Sequence, residues 1–228
     1  MKNLAIIPAR SGSKGLKDKN IIEVNGMPLM GYTIKAALES NCFEEVMVST
    51  DSDEYAKIAI SLGAKVPFLR SNINSNDSAN SWDAVREVLN NYKEKGKNFD
   101  VVVLLQPTSP LRDANDIRNA FSLLKEKKAN NVVSVCEVNH PIQWCFPLDE
   151  TLSLEKFANS PYNSMRRQEL QKHYMENGAI YLTSANKILD EAYNLYKDNC
   201  IAYIMPKERS IDIDGEIDLE VFKTLVLK

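Results

Sequence analysis

Short apolar runs alternate with stretches of helical period along most of the chain. Residues 4–7, 46–48, 66–69, 101–105 and 132–135 are brief, continuous and mostly apolar, the pattern of strands buried on both faces. Between them, Tyr55, Ile58, Ala59 and Leu62 recur at i, i+3, i+4, i+7, and Ile117, Ala120, Phe121 and Leu124 do the same. Ala84, Val85, Val88, Leu89 and Tyr92 mark another amphipathic helix, and Pro28 suits the first turn of one. The alternation predicts βαβ units: an α/β fold with a largely parallel sheet covered by helices on both faces. Ligands of such sheets bind beyond the carboxyl ends of the strands. Polar runs that directly follow a strand are therefore the first places to look for chemistry.

The rhythm breaks at 140–177, where HPIQWCFPLDE and SPYNSMRRQELQKHYMENG hold three prolines and adjacent arginines. This stretch is expected to be an inserted arm, with 1–139 and 178–228 forming the core. The α/β pattern resumes in NGAIYLTS and IAYIMP and closes with a helix in which Ile217, Val221, Phe222 and Leu225 are expected to share the buried face.

Composition narrows the class. The 228 residues are 44% hydrophobic and 26% charged, enough for a packed core. With 28 basic against 31 acidic residues the net charge is −3, which argues against nucleic acid as the main partner. No apolar run approaches a membrane span, and Pro8 and Arg10 cut the first apolar run too short for a signal-peptide core. The four cysteines are scattered without a CxxC, so reduced thiols in a cytoplasmic protein are expected.

Three polar runs carry candidate chemistry. The first, PARSGSKGLKDKN, follows the first strand. The opening 20 residues hold five basic side chains and one acid. Gly12 and Gly15 let backbone amides approach an anion, and Arg10, Lys14 and Lys19 could neutralise a triphosphate. The run matches neither a Walker A loop nor a dinucleotide fingerprint, and it reads equally as a solvated surface turn. The second is SIDIDGEID near the other end. In an extended chain Asp212 and Asp214 share one face and Ile211 and Ile213 the other. Two carboxylates on one face suit a hard divalent cation held jointly with phosphate oxygens. Glu216 and Asp218 are explained as acids at a helix start. The third, LQPTSPLR, places Gln106 and Arg112 on a loop stiffened by two prolines; an ordinary βα turn capped by Ser109 or Asp113 is the alternative. The Ser/Asn-rich stretch 71–81 must supply turns and caps, and its exposed amides could also read a base edge. His140 and His173 have no metal-type spacing.

The run IPARSGSKGLKDKN, the loop LLQPTSPLR, the element NGAIYL and the tail SIDID occur in this order over essentially the whole chain. Together they resemble the acylneuraminate cytidylyltransferases, or CMP-sialic acid synthetases. The resemblance implies a nucleotidyltransferase, Rossmann-like fold, CTP as co-substrate, Mg²⁺ as cofactor, and a homodimer whose arms reach into the partner's site. Carried over, Arg10, Ser13, Lys14, Lys19 and Asn20 would hold the triphosphate, Lys19 and Arg10 acting in catalysis. Arg70, Ala79 and Ser81 would surround cytosine and ribose. Gln106 and Arg112 would lie by the acceptor, and Asn177 and Tyr181 would line the sugar pocket. Asp212 and Asp214 would bind metal, and Arg167 would reach the sugar carboxylate from the neighbouring subunit. The implied reaction is transfer of CMP to the anomeric hydroxyl of N-acylneuraminic acid or a related nonulosonic acid, with loss of pyrophosphate. Legionaminic, pseudaminic and Kdo-type acids are alternative acceptors. A non-catalytic sugar-nucleotide binder is the rival from another class, and the paired aspartates speak against it. Gln143, where some members carry Lys, and Leu170-Gln171, where Leu-Pro is usual, depart from the family near the acceptor. NGAIY favours sialic or legionaminic acid.

Overall fold

The computed structural model describes residues 1–13, 15–76 and 80–226. In chain order the elements are β1 (Asn3–Pro8), the small hairpin β2 (Glu23–Val24) and β3 (Met27–Pro28), α1 (Leu29–Ser40), β4 (Glu45–Ser49), α2 (Asp53–Ser61), α3 (Asn72–Ser75) and α4 (Ser81–Glu94). Then come β5 (Val101–Leu104), α5 (Ala114–Glu126), β6 (Asn131–Glu137), α6 (Glu155–Ala158), β7 (Tyr174–Ser184), α7 (Ala185–Ile188), β8 (Cys200–Ile204) and α8 (Glu216–Val226).

Among the described residues the main sheet has six strands in the order β4-β1-β5-β7-β6-β8. Successive side chains of β1 serve opposite faces, as the pleat requires. Ala5 and Ile7 pack with Met30 and Ile34 of α1 and Ile117 and Phe121 of α5. Leu4 and Ile6 pack with Val85, Val88 and Tyr92 of α4 and Ile188 of α7. The sheet is thus covered on both faces, as the apolar runs predicted.

Four expectations change. The sheet is mixed rather than largely parallel, because β7 runs antiparallel to both β5 and β6. The helical crossovers from β1 through β6 return each strand in the same direction, but β7 is reached through the long excursion after β6 and enters reversed. Residues 174–176 pair with 135–137, so the sheet reclaims the last residues assigned to the arm. Residues 66–69 form no strand. Lys65 alone bridges to Met47 at the outer edge of β4, and Pro67, which has no N–H, follows two residues later. In α8 the buried side chains are Leu219 and Phe222, while Ile217 is 81% exposed and Val221 and Leu225 are also exposed. Phe222 fixes this rotation by packing edge-on against Tyr32, with ring centroids 5.0 Å apart.

A third, smaller apolar cluster determines where the chain ends meet. Leu16, Val24, Leu29, Ile213, Leu219 and Phe222 pack together. Leu16 comes from the basic loop and Ile213 from the acidic tail, so burying these two side chains draws two oppositely charged segments onto one rim. Among the described residues no helix is long and apolar enough to cross a membrane.

Candidate active site

The basic loop leaves β1 at the carboxyl end of the sheet and is closed by its own side chains. Ser11 donates from its N–H and its Oγ to the Asp51 carboxylate, at 2.8 and 2.9 Å. Buried Asn20 donates to the Arg10 carbonyl at 3.0 Å, joining the two ends of the loop. Asp18 adopts the left-handed region and accepts a hydrogen bond from the Tyr55 hydroxyl at 3.0 Å. Burial and the Asp18 carboxylate together hold the Tyr55 phenol above its ordinary range. Gly15 has a specific reason to lack a side chain: a Cβ there would sit 2.5 Å from the Asp214 carbonyl oxygen. The loop and the tail are therefore in backbone contact.

In the tail the predicted alternation appears as burial. Ile213 is buried and Ile211 half-buried, while Asp212 and Asp214 reach the opposite side. The Ile213 N–H donates to the Thr108 carbonyl at 2.8 Å, fixing the tail to the loop after β5. Asp218 is committed to the start of α8, accepting from the N–H groups of Asp214 and Gly215 at 3.1 and 2.9 Å. Lys19 joins the two charged segments, donating to the Ile213 carbonyl at 2.7 Å and to Asp214 Oδ1 at 3.1 Å. The Lys19 side chain is mostly buried and that of Asp214 largely in solvent, so the ion pair itself contributes only ~0–1 kcal/mol. The loop and the Ile213 carbonyl place Lys19, and Asp214 can exchange partners at little cost. Burial raises the pKa of Asp212 and the nearby Asp214 charge adds to this, against a hydrogen bond from Thr108 and the Lys19 charge.

This arrangement fits a Mg²⁺ ion. Asp212 and Asp214 line the same cleft, the Asp214 charge is felt at Asp212, and an ammonium group already stands beside Asp214. Among the described residues no three His, Cys, Asp or Glu side chains converge, so no all-protein cage exists. Mg²⁺ commonly binds through one or two carboxylates, completing its shell with water and substrate phosphates.

Loop and tail open onto a cleft of about 530 Å³. One wall carries Arg10, Ser13, Lys19 and Asn20, the floor is Gln106, Pro107 and Thr108, and Asp212 and Asp214 stand at the rim. The other wall is Arg70 with Asn74, Asn76, Asn80 and Ser81. Arg70 is held by Ser49, through Nε to Oγ at 2.9 Å and Nη2 to the carbonyl at 2.5 Å. Burial lowers its pKa to about 10, which leaves it charged at neutral pH. Glu87 organises the asparagine wall, accepting from the Ser71 N–H and Oγ and from the Asn74 amide. Arg10 reaches across to the Ser75 carbonyl at 3.3 Å.

The cleft thus gathers nine of the residues anticipated from sequence: Arg10, Ser13, Lys19, Asn20, Arg70, Ser81, Gln106, Asp212 and Asp214. Lys14 and Ala79 lie outside the described residues. Four others are not on the cleft wall. Arg112 is 1% exposed beneath the floor. It donates to the carbonyls of Ala179 and Gln106 and to Thr33 Oγ1, all within 3.2 Å, and so holds the Gln106 backbone from below. Asn177 is buried, donating to Ser210 Oγ at 2.9 Å and accepting from Ser134 Oγ at 2.6 Å. Tyr181 packs edge-on against Trp82 and donates to Glu176 at 2.9 Å. Arg167 lies exposed on the excursion, outside this cleft. Sequence reasoning did not single out Thr108, Asn74, Asn76 and Asn80, although all four lie in runs it marked. Gly178 was also missed. Its φ is +70°, and a Cβ there would collide with the Gln106 amide oxygen and press on Ser109 Oγ.

Comparison with known proteins gives the family. A family model described as Cytidylyltransferase matches residues 4–210. Over nearly its full length the chain is 36% identical to a Campylobacter jejuni pseudaminic acid cytidylyltransferase, covering 96% of that protein. It is 40% identical to an Escherichia coli N-acylneuraminate cytidylyltransferase, of which it spans 52%. It is 36% identical to a Legionella pneumophila CMP-N,N'-diacetyllegionaminic acid synthase, covering 97% of it. The fold matches a CMP:2-keto-3-deoxy-manno-octonic acid synthetase complexed with CTP, at a TM-score of 0.74 and 17% identity, over 100% of this chain and 99% of that one. It also matches a 4-diphosphocytidyl-2C-methyl-D-erythritol synthase from Anaerococcus prevotii, at 0.64 and 12% identity, covering 100% of this chain and 99% of the other. The chain belongs to the cytidylyltransferase family.

Proposed function

We propose that the chain transfers CMP from CTP to the anomeric hydroxyl of an acidic 2-keto sugar of the nonulosonic class, with N-acylneuraminic acid as the preferred acceptor. One observation carries this reading. A basic loop and a carboxylate pair share one cleft and are joined through Lys19. That is the equipment phosphoryl transfer requires, positioned phosphates beside a cation site.

Arg10, Ser13 and Asn20 hold the β- and γ-phosphates. Lys19 leaves Asp214 for the α-phosphate and offsets charge growing on its oxygens as the sugar oxygen attacks in line and pyrophosphate departs. Arg70, Ser81 and the asparagine wall seat ribose and cytosine. Gln106 faces the acceptor, its backbone held by Arg112 and its side chain given room by Gly178. Asp212 and Asp214 hold Mg²⁺, which when bound supplies charge neutralisation at the transferring phosphate.

The acceptor's carboxylate needs a cation, and Arg167 lies away from the cleft of its own chain. Exposed Ile142, Leu148, Leu152 and Leu154 crowd the same excursion. Both facts support a homodimer in which each arm delivers Arg167 to the partner's cleft.

The test is pyrophosphate release with CTP, Mg²⁺ and separate N-acetylneuraminic, legionaminic, pseudaminic and Kdo acceptors. Release should be fastest with N-acetylneuraminate. Release with none of them would overturn the reading, whereas release with another acid alone would move only the acceptor.

A further inference from the structure

The acidic tail reaches the cleft from the far edge of the sheet. β8 is the outermost strand, and no regular structure spans 210–215. Individual backbone and side-chain ties therefore set the course of this segment. One charged tie lies just upstream. The Arg209 guanidinium grips the Asp116 carboxylate with two donors, Nε to Oδ2 at 3.1 Å and Nη2 to Oδ1 at 2.7 Å. Asp116 is 0% exposed and saturated: Oδ2 also accepts from the Asp113 N–H at 3.0 Å and Oδ1 from the Tyr203 hydroxyl at 3.0 Å.

Two features argue that this pair does more than stabilise. First, α5 does not need Arg209 for its cap, because Asp113 already accepts from the N–H groups of Asn115 and Asp116. Burying a carboxylate is costly, and buried ion pairs often give no net stability over apolar packing; their best-attested use is to fix register. Second, Asp116 sits on the helix that follows the cleft floor. The tail is then attached twice to a single β5–α5 connection, by Arg209 to Asp116 and by the Ile213 N–H to the Thr108 carbonyl. Between these points Ser210 Oγ donates to the Pro206 carbonyl at 2.8 Å and accepts from Asn177. A bidentate fork tolerates little sliding, so it sets where along the floor Asp212 and Asp214 fall.

We infer that Arg209 and Asp116 are positioning residues that set the register of the carboxylate pair against the nucleotide. The inference rests on the reading that Asp212 and Asp214 hold the metal. Partners that orient metal ligands cost about 10–100-fold in metal affinity when removed, and the same scale is expected here, without loss of the fold.

The test uses Mn²⁺ as the probe, its binding to the full chain followed by electron paramagnetic resonance with CTP present, alongside the Mg²⁺ dependence of kcat. Arg209→Lys keeps the charge but loses the fork. It should weaken Mn²⁺ binding about tenfold or more and raise the half-activating Mg²⁺ concentration in parallel, with the KM for the sugar unchanged. The double variant Asp116→Leu/Arg209→Met replaces the buried pair with apolar packing. It also removes the acceptor of the Asp113 N–H and of the Tyr203 hydroxyl, so it should melt several degrees below wild type, stay folded by circular dichroism, and still show the weakened metal binding. Wild-type metal affinity in that folded double variant would overturn the inference, since a merely stabilising pair predicts it. If Asp214→Ala binds Mn²⁺ as tightly as wild type, the metal reading itself falls, a result distinct from failure of the positioning role.

Discussion

The cleft and the excursion that follows β6 are built on opposite principles. Every cleft segment is tied down within the chain. The basic loop is closed by Asp51 and Asn20, the asparagine wall by Glu87, and the tail by Thr108 and Asp116. The excursion is anchored at its foot, where Lys172 bridges to Glu137 of β6 and Leu170 is buried, and beyond that its hydrogen bonds and ring contacts among the described residues are internal. Phe146 stacks on Phe157 at 4.8 Å, Trp144 donates to the Tyr162 carbonyl, and Leu152, at 70% exposure, typifies side chains with nothing over them. The difference teaches which functions each can serve. A site that, as proposed, holds a triphosphate and a metal to within fractions of an ångström would need over-determined backbone. A segment that, as proposed, contributes one cation to a second molecule would need reach, and apolar side chains that find cover there.

The sharpest way to break this contrast is at the rim. Asp214→Ala removes a carboxylate that is largely in solvent, so the fold should survive while turnover falls below detection in Mg²⁺; Asp212→Ala should be similar or milder. Unchanged rates in both variants would remove the metal role. Lys19→Ala should cost roughly 10²-fold in kcat/KM, the scale of losing one preorganised charge at a developing oxyanion. A steady-state assay varying CTP checks it.

The excursion is tested by mixing subunits. Arg167→Ala and Asp214→Ala homodimers should each be nearly inactive. If Arg167 acts across the dimer, the mixed species has one site with both lesions and one with neither, and recovers up to about half the wild-type activity. No recovery after verified exchange would return Arg167 to its own chain. A smaller effect is expected at Gly178→Ala, where the left-handed backbone costs about 1–2 kcal/mol. Displacement of Gln106 should raise KM for the sugar more than for CTP.

The smallest effect lies far from both regions. Burial works to raise the Glu45 pKa, but Lys97, Tyr92 and Lys65 override it and hold the carboxyl below 4.5. Its contribution to stability is therefore complete at neutral pH and is lost as pH falls through the lowered value. Glu45→Gln should lower Tm by a few degrees at pH 7, and the gap from wild type should close below about pH 4.5. Thermal melts across this range should leave the pH profile of kcat unchanged.

How much of this was legible in the sequence depended on how local the determinant was. The strands that line the cleft and helices α2, α4 and α5 followed from short-range periodicity. The charged runs flanking the cleft were visible because each concentrates one kind of group. The reversal of β7 was not visible, since direction depends on the long connection before it. The buried face of α8 was misjudged because Tyr32 and the Leu16 cluster, distant in sequence, choose it. Arg112 illustrates the same limit at the site. A polar residue in a motif after a strand reads as a ligand contact, but its fork is spent on Thr33 and two backbone carbonyls. Gly178 lay in the NGAIYL run but its own role was not legible, because its constraint is a side chain 72 residues away.

The central claim is that the basic loop and the carboxylate pair are one site. Calorimetric titration of CTP with and without Mg²⁺, on wild type and on Asp212→Ala/Asp214→Ala, addresses it directly. Mg²⁺ should tighten CTP binding to the wild type and leave the double variant unaffected. CTP binding that responds equally to Mg²⁺ in both proteins would contradict it.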